Sequence, residues 1–501
     1  VEKEKIDELK QKKQDISEDE MCQRLLTQAA VQGLKDRGKA TDPRYIKRLK
    51  QELDDIAHLK FAKYFLTEKK IIDITAGKLL LGNGRGSVSG SLLAYVLNIS
   101  QVDPIRWGTL WHRFLTRYKT GYPDIDNDWS DREQAVKLIA DYFGEENVIP
   151  VSTFSQLQLR SLIKDLARLN GIPHEEVNAY TSKIEQEVLK VKKQEDGFDR
   201  GTWVLTYEEA EKFSPSFIEF IGKYPEFENS LKVLFKQMRG IGRHAGGVII
   251  TDNPSDNLPL IIGGKKDKRA PQTPWPEGVN FRHLEDHGFL KFDILSIGTL
   301  RLFEECIRKI LIKEGNPNPS FSDIKQFFID KLHPDNNPMT DVNVYKNVFW
   351  DGRYCGIFQF VKPNTQKFMR EMKPASILDI AIATSVFRPG PLSLGIDRLF
   401  LKNKKNPEKV QYKHELLREI FQDTAGLLIF QEQLQMVYNK LCDVPLDETD
   451  KVRKAFTKKD ISNKEKAKAE REALKTNFIT LCKEKNDINE KISSDLFDEM
   501  E

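Results

Sequence analysis

Three aspartates alternate through Tyr122-Pro123-Asp124-Ile125-Asp126-Asn127-Asp128. In an extended chain successive side chains point to opposite faces, so this spacing commits all three carboxylates to one side of a strand. Gathering anions on one face costs free energy unless a counter-charge is present, and a divalent cation supplies one. Pro, Asp and Asn are also common turn formers, so the stretch alone leaves a metal site and a solvated acidic turn both open.

A second stretch, Phe289-Leu290-Lys291-Phe292-Asp293-Ile294-Leu295, reads as a buried strand with Leu290, Phe292 and Ile294 on one face and Lys291 and Asp293 on the other. Burying a lysine and an aspartate amid so much apolar surface is expensive unless each finds a partner. A core salt bridge would do so. Alternatively Asp293 joins Asp124 and Asp126 in a carboxylate cluster that holds Mg²⁺, with Lys291 near a phosphate. Upstream, Leu81-Gly82-Asn83-Gly84-Arg85-Gly86-Ser87 runs into the small-residue segment Val88–Leu97. A glycine-rich turn entering a helix offers free backbone N–H groups to an anion such as a triphosphate. It is neither a Walker loop, since Gly-Lys-Ser/Thr is absent, nor a Rossmann turn.

In this order, phosphate loop, acid pair and third acid, the chain resembles the bacterial replicative DNA polymerase III alpha subunit, the C family of DNA polymerases. Gly84-Arg85-Gly86-Ser87 is similar to that family's phosphate-binding motif, Pro123-Asp124-Ile125-Asp126 to its catalytic acid pair, and Leu290-Lys291-Phe292-Asp293 to the strand with its third acid. Gly242-Arg243-His244-Ala245-Gly246-Gly247, Gly356-Ile357-Phe358-Gln359, Phe387-Arg388-Pro389-Gly390-Pro391-Leu392, Phe430-Gln431-Glu432-Gln433 and Arg453-Lys454-Ala455-Phe456 agree in order. Ser155 and Ser296 depart from the family pattern, standing where it usually has glycine. Phe456 and Thr457 depart likewise, standing where it has Met and Gly.

The resemblance implies an α/β multidomain protein: a nucleotidyltransferase-like (polymerase beta-like) palm with a mixed sheet, a helical thumb inserted in it, and mostly helical fingers. Its boundaries would be 1–135 for a helical lead-in and first part of the palm, 136–235 for the thumb, 236–300 for the rest of the palm and 301–501 for truncated fingers. It implies template-dependent addition of deoxynucleotides to a primer 3′ end, with two Mg²⁺ ions, or Mn²⁺ in their place, on Asp124, Asp126 and Asp293. Gly86, Ser87, Arg85, Lys291, Arg388 and Arg453 would meet the nucleotide, and Asp128 would be a spare acid. The implied partners are primer-template DNA, deoxynucleoside triphosphates and, through parts outside this chain, a sliding clamp and other replisome subunits. A DNA-binding half of a split polymerase and a non-templated nucleotidyltransferase remain as alternatives.

Net charge excludes a globally basic DNA binder: 79 basic residues against 76 acidic leave +3, so DNA contacts must come from local patches. Arg160, Lys164 and Arg168, four residues apart on one helix face, form such a stripe, while the basic segments Val188–Lys193 and Lys265–Arg269 suit solvent or DNA. The five cysteines are scattered without Cys-x-x-Cys spacing, which speaks against zinc ribbons and disulfide frameworks. His283-Leu284-Glu285-Asp286-His287 places Glu wrongly for either zinc-protease motif, so a polar helix is expected there rather than zinc. His244 is read as a structural residue near the site. No apolar run approaches the ~20 residues of a membrane span and the N-terminus is no signal peptide, so a cytoplasmic location is expected. A start at Val1 rather than a methionine suggests a fragment or a processed product, and the resemblance implies that the family's amino-terminal phosphoesterase-like domain is missing.

Along the chain, Leu25, Leu26, Val31, Leu34 and Tyr45, Ile46, Leu49, Leu53, Ile56 mark helix packing stripes. Helices are expected over 131–143, 153–170 and 428–441, and short strands over 148–151 and 248–250.

Overall fold

The computed structural model describes residues 17–119, 121–192, 203–263, 269–277, 282–457 and 464–500. Lys193 and Lys265–Lys268, parts of the expected basic segments, lie outside the described residues.

The fold is built on a four-stranded mixed sheet of β1 (Asp126–Trp129), β2 (Val148–Gln156), β3 (Met238–Ile250) and β6 (Lys291–Ser296), in the order β1-β6-β3-β2. A two-stranded sheet of β4 (Ile261–Gly263) and β5 (Ala270–Gln272) accompanies it. β1 and β6 run parallel, whereas β3 is antiparallel to both β6 and β2. The two expected strands extend well beyond their apolar runs. β2 continues through Thr153–Gln156, which the sequence assigned to a helix, and that helix begins only at Leu159. β3 likewise starts at Met238, and the glycine-rich segment around His244 is strand rather than turn. Cross-strand pairing drives both extensions, with Ser152 through Gln156 set against Arg243 through Met238. Such pairing depends on the neighbouring strand and leaves no local periodicity.

Three helices, Glu18–Asp36, Pro43–Leu59 and Ala62–Thr75, cover one side of the sheet and share a core with Trp129, Phe292 and Ile294. Leu26, Leu34, Tyr45, Leu49, Leu53 and Ile56 are buried as their spacing predicts. Val31 and Ile46 are 43% and 47% exposed, each one step off the packing stripe. The Trp129 indole donates to Thr75 Oγ1 at 2.8 Å, tying the end of the third helix to β1. Asp131 caps the helix Arg132–Phe143 by accepting from Gln134 N.

Between β2 and β3 the chain makes a helical insert with a core of its own, in which Leu162, Ile163, Ile184, Phe217 and Phe220 are fully buried. After β6 it is helical throughout the described residues, forming separate cores around Phe368, Met369 and Phe400 and around Tyr438, Phe478 and Phe497. The helix expected over 428–441 runs from Gln431 to Cys442. All five cysteines are free, and among the described residues no helix is long and apolar enough to cross a membrane.

Candidate active site

The alternation of the acid stretch is realised. Pro123, Ile125, Asn127 and Trp129 face the core, and Asp124, Asp126 and Asp128 face outward. Opposite them, Phe292 and Ile294 are buried at 4% and 1% exposure while Lys291 and Asp293 share the outer face. The parallel register pairs Asp126 with Asp293, so acids far apart in sequence stand side by side. Burial, then the Asp293 charge, raise the Asp126 pKa above the ordinary carboxylate range.

The salt bridge open to the Lys291 strand is made. Lys291 Nζ bridges Asp293 Oδ2 at 3.0 Å and Glu277 Oε1 at 3.3 Å. Asp293 Oδ1 is buried without a hydrogen-bond partner, 3.9 Å from His244 Nδ1. His244 itself is held by its own strand, accepting from Gly247 N at 2.7 Å. Among the described residues no three His, Cys, Asp or Glu side chains are arranged to hold a metal ion. The lysine supplies the nearest positive charge to Asp293, and Asp128 is paired at 3.0 Å with Arg85.

The glycine-rich stretch is fastened to the edge of β1. Gly82 N donates to Asp128 O at 2.9 Å and Ser130 N to Leu80 O at 3.0 Å. From there the loop crosses to the acids. Gly86 has φ +64°, and a Cβ added to it would come within 3.2 Å of Asp126 Oδ2, so both conformation and space call for glycine. No hydrogen bond is made by the N–H groups of Gly84, Arg85 or Gly86 to any described residue, and Ser87 opens a short 3₁₀ turn. These donors are free for an anion. The helix that follows, Leu92–Val96, is not: Leu92 N and Leu93 N both donate to the buried Glu52, so the anion site is confined to the loop.

A cationic strap, Arg113 to Lys119, precedes the acids and faces the last part of the chain. Arg113 lies 3.7 Å from Glu432, and His112 O accepts from Gln435. Burial, then the neighbouring Arg453, lower the Arg113 pKa. Burial lowers that of Lys119 too, against the pull of Asp124.

Residues 22–296 match the family model of the bacterial DNA polymerase III alpha NTPase domain, and residues 320–477 that of the bacterial DNA polymerase III alpha subunit finger domain. The chain belongs to the bacterial DNA polymerase III alpha family. It is 30% identical over 478 residues to the DNA polymerase III subunit alpha of Aquifex aeolicus, covering 89% of this chain and 38% of that protein. With the Bacillus subtilis subunit it is 30% identical over 452 residues, or 87% and 36%. With that of Borreliella burgdorferi it is 30% identical over 477 residues, or 94% and 38%. The chain thus spans little more than a third of the length of these relatives.

Within this polymerase III alpha framework other expected residues are carried by segments other than β1 and β6. Arg453 is held by Asp450, at 2.7 Å from Nη2, and by Gln431. Lys454 shares Asp450 at 2.8 Å. Arg388 is exposed before the short helix Pro389–Ser393. Arg160 pairs with Glu185 and Arg168 with Asp165, while Lys164 is half-buried on the same helix. His283 and His287 are exposed beside Trp275 and Phe289.

Three contributors escaped the sequence reading. Arg113 and Lys119 could have been found from basic residues crowding just ahead of the acids. Glu68 had no local signal. It sits in the helix Ala62–Thr75 at 2% exposure, its Oε1 has no partner, and burial followed by the charges of Asp293 and Asp126 drives its pKa well above the ordinary range.

Proposed function

We propose that this chain is the polymerising module of a replicative DNA-directed DNA polymerase. It would extend a primer 3′ end with deoxynucleoside triphosphates on a DNA template. The observation that carries this is the register of Asp126 against Asp293 beside a loop with unpartnered N–H groups: a cation-seeking face and an anion-seeking loop meet at Gly86.

The acids are not gathered around an ion in the described residues, but their donor chemistry suits a metal. Asp293 Oδ1 is a buried acceptor without a donor, and the all-oxygen set of Asp124, Asp126 and Asp293 suits magnesium, with manganese as a substitute. These three residues would hold two such ions. When bound, the ions would lower the pKa of the primer hydroxyl and offset the charge of the triphosphate and the departing pyrophosphate. The primer 3′ oxygen would attack the α-phosphorus as the bond to the bridging oxygen breaks and pyrophosphate leaves. Gly86 and Ser87 would bind triphosphate oxygens through their backbone, with Arg85 at the rim. Lys291, beside Asp293, would offer its charge to the reacting phosphate. Arg113, Lys119, Arg388 and Arg453 would meet the triphosphate from the other side, since preorganised cations stabilise charge spread over a transferring phosphoryl group.

On this reading the sheet is the palm, 136–235 the thumb and 301–501 the fingers. Arg160, Lys164 and Arg168 would run along the duplex backbone. Clamp and replisome contacts would lie outside this chain, and a cytoplasmic site of action follows from the substrates. The test is primer extension by this chain, unaltered and as Asp126→Asn and Asp293→Asn. Loss of incorporation with retained primer-template binding is expected. Incorporation at the unaltered rate by either variant overturns the assignment, and DNA binding without extension by the unaltered chain would mark it as a DNA-binding half.

A further inference from the structure

The helix Pro43–Leu59 lies outside the sheet, yet two acids on one of its faces, Glu52 and Asp55, reach both walls of the site. They are buried at 0% and 5% exposure and stand three residues apart. Glu52 accepts four hydrogen bonds. Oε1 takes Arg48 Nε at 2.7 Å and Leu92 N at 2.9 Å, and Oε2 takes Ser91 Oγ and Leu93 N, each at 2.9 Å. Arg48 also donates to Gly90 O at 2.8 Å. One carboxylate and its guanidinium therefore seize the four residues Gly90 to Leu93 that end the glycine loop. Asp55 accepts from Trp111 Nε1 at 2.7 Å and from Arg117 Nε, which brackets Arg113 in the cationic strap.

Loop and strap also touch. Thr109 Oγ1 donates to Ser89 O at 2.9 Å, and a Cβ on Gly90 would fall 2.5 Å from Leu110 O, so the two segments abut without room for a side chain. Helix packing alone would be served by apolar residues at these positions. A fully buried carboxylate is costly unless its oxygens are filled with donors, and here they are filled by Arg48 together with the Ser91 hydroxyl and the Leu92 and Leu93 N–H groups that follow the loop.

We propose, on the reading that a triphosphate sits between the glycine loop and the Arg113–Lys119 strap, that Glu52 and Asp55 are positioning residues setting the separation of those two walls. Neither touches the nucleotide. Glu52 occupies the first N–H groups of the Leu92–Val96 helix, which leaves anion binding to the N–H groups of the loop before it. Asp55 anchors the strap through Trp111 and Arg117. Loosening either wall spoils alignment for the triphosphate while leaving duplex contacts in the helical insert untouched, and misplacement by ~1 Å costs on the order of a hundredfold in rate.

The test measures dATP affinity of the full chain on a dideoxy-terminated primer-template with Mg²⁺, where no bond can form, for the unaltered protein and for Glu52→Gln, Asp55→Asn and Arg48→Met. Each substitution is expected to weaken dATP binding about tenfold, equivalent to about 1.4 kcal/mol. Primer-template affinity should stay within about twofold of the unaltered chain, and in extension assays KM for the nucleotide should rise more than kcat falls. Arg48→Met removes only the Gly90 anchor and one Glu52 contact, so it reports even if Glu52→Gln does not fold. Unchanged dATP affinity in folded variants, or a parallel loss of primer-template affinity, overturns the inference while the triphosphate reading stands. Absence of dATP binding by the unaltered chain overturns both.

Discussion

Replacing Glu68 by glutamine should make this protein more stable, by an amount that grows with pH. Glu68 is a buried carboxyl with one unpartnered oxygen and two aspartates for neighbours, so the folded chain holds its proton well above the ordinary range. In the unfolded chain the same group releases its proton near pH ~4.3. Between those two values the native state binds one proton more than the unfolded state, so stability falls as pH rises, by about 1.4 kcal/mol per pH unit. The loss ends where the native carboxyl ionises. Glutamine has the same shape and carries no titrating proton, so this slope should vanish in Glu68→Gln. From pH 5 to pH 6 the variant should gain about 1.4 kcal/mol relative to the unaltered chain, a Tm difference of about 3 to 6 °C for a cooperative unit of ~200 residues. The assay is thermal unfolding followed by tryptophan fluorescence, since Trp111 and Trp129 are buried in the same core. It is run at a series of pH values in chelator without added metal, because a bound cation would offset Asp126 and Asp293. Parallel Tm–pH curves for the two proteins, or a variant destabilised at pH 7, would refute the reasoning.

Three further outcomes are expected. Mg²⁺ at about a hundred times its dissociation constant should stabilise the unaltered chain by about 2.7 kcal/mol, seen as a rise in Tm, and should do far less for Asp126→Asn or Asp293→Asn. Thr75→Val should cost about 1 to 3 kcal/mol in chemical denaturation, because it leaves the buried Trp129 indole N–H without its acceptor. Replacing Arg160, Lys164 and Arg168 together by alanine should flatten the salt dependence of primer-template binding by up to about three phosphate equivalents, with little change in dATP affinity; an unchanged slope would remove this helix from the duplex interface.

The local chemistry of the site was legible in the amino-acid sequence, because strand alternation is a property of a few neighbouring residues. Asp124, Asp126 and Asp128 had to share a face, as did Lys291 and Asp293, and the loop before them had to be rich in free N–H groups. Family resemblance then supplied the mixed sheet and the helical segments. What the sequence alone could not decide was everything that depends on partners distant in the chain. The Asp126–Asp293 register comes from parallel pairing of β1 with β6. The full length of β2 and β3 comes from their pairing with each other, which overrode a helical pattern at Thr153–Gln156. Lys291 could be read as a salt bridge or a phosphate ligand, and only the fold showed it spanning Asp293 and Glu277. Glu68 and Glu52 are the clearest cases. Each is an ordinary acid on an amphipathic helix by sequence, and each acquires its electrostatic character from groups that folding brings to it: the aspartates beside the Glu68 carboxyl, and the three donors from Ser91, Leu92 and Leu93 on Glu52. Burial and neighbouring charge set the energy of a carboxylate, and both are properties of the folded surroundings rather than of the residue.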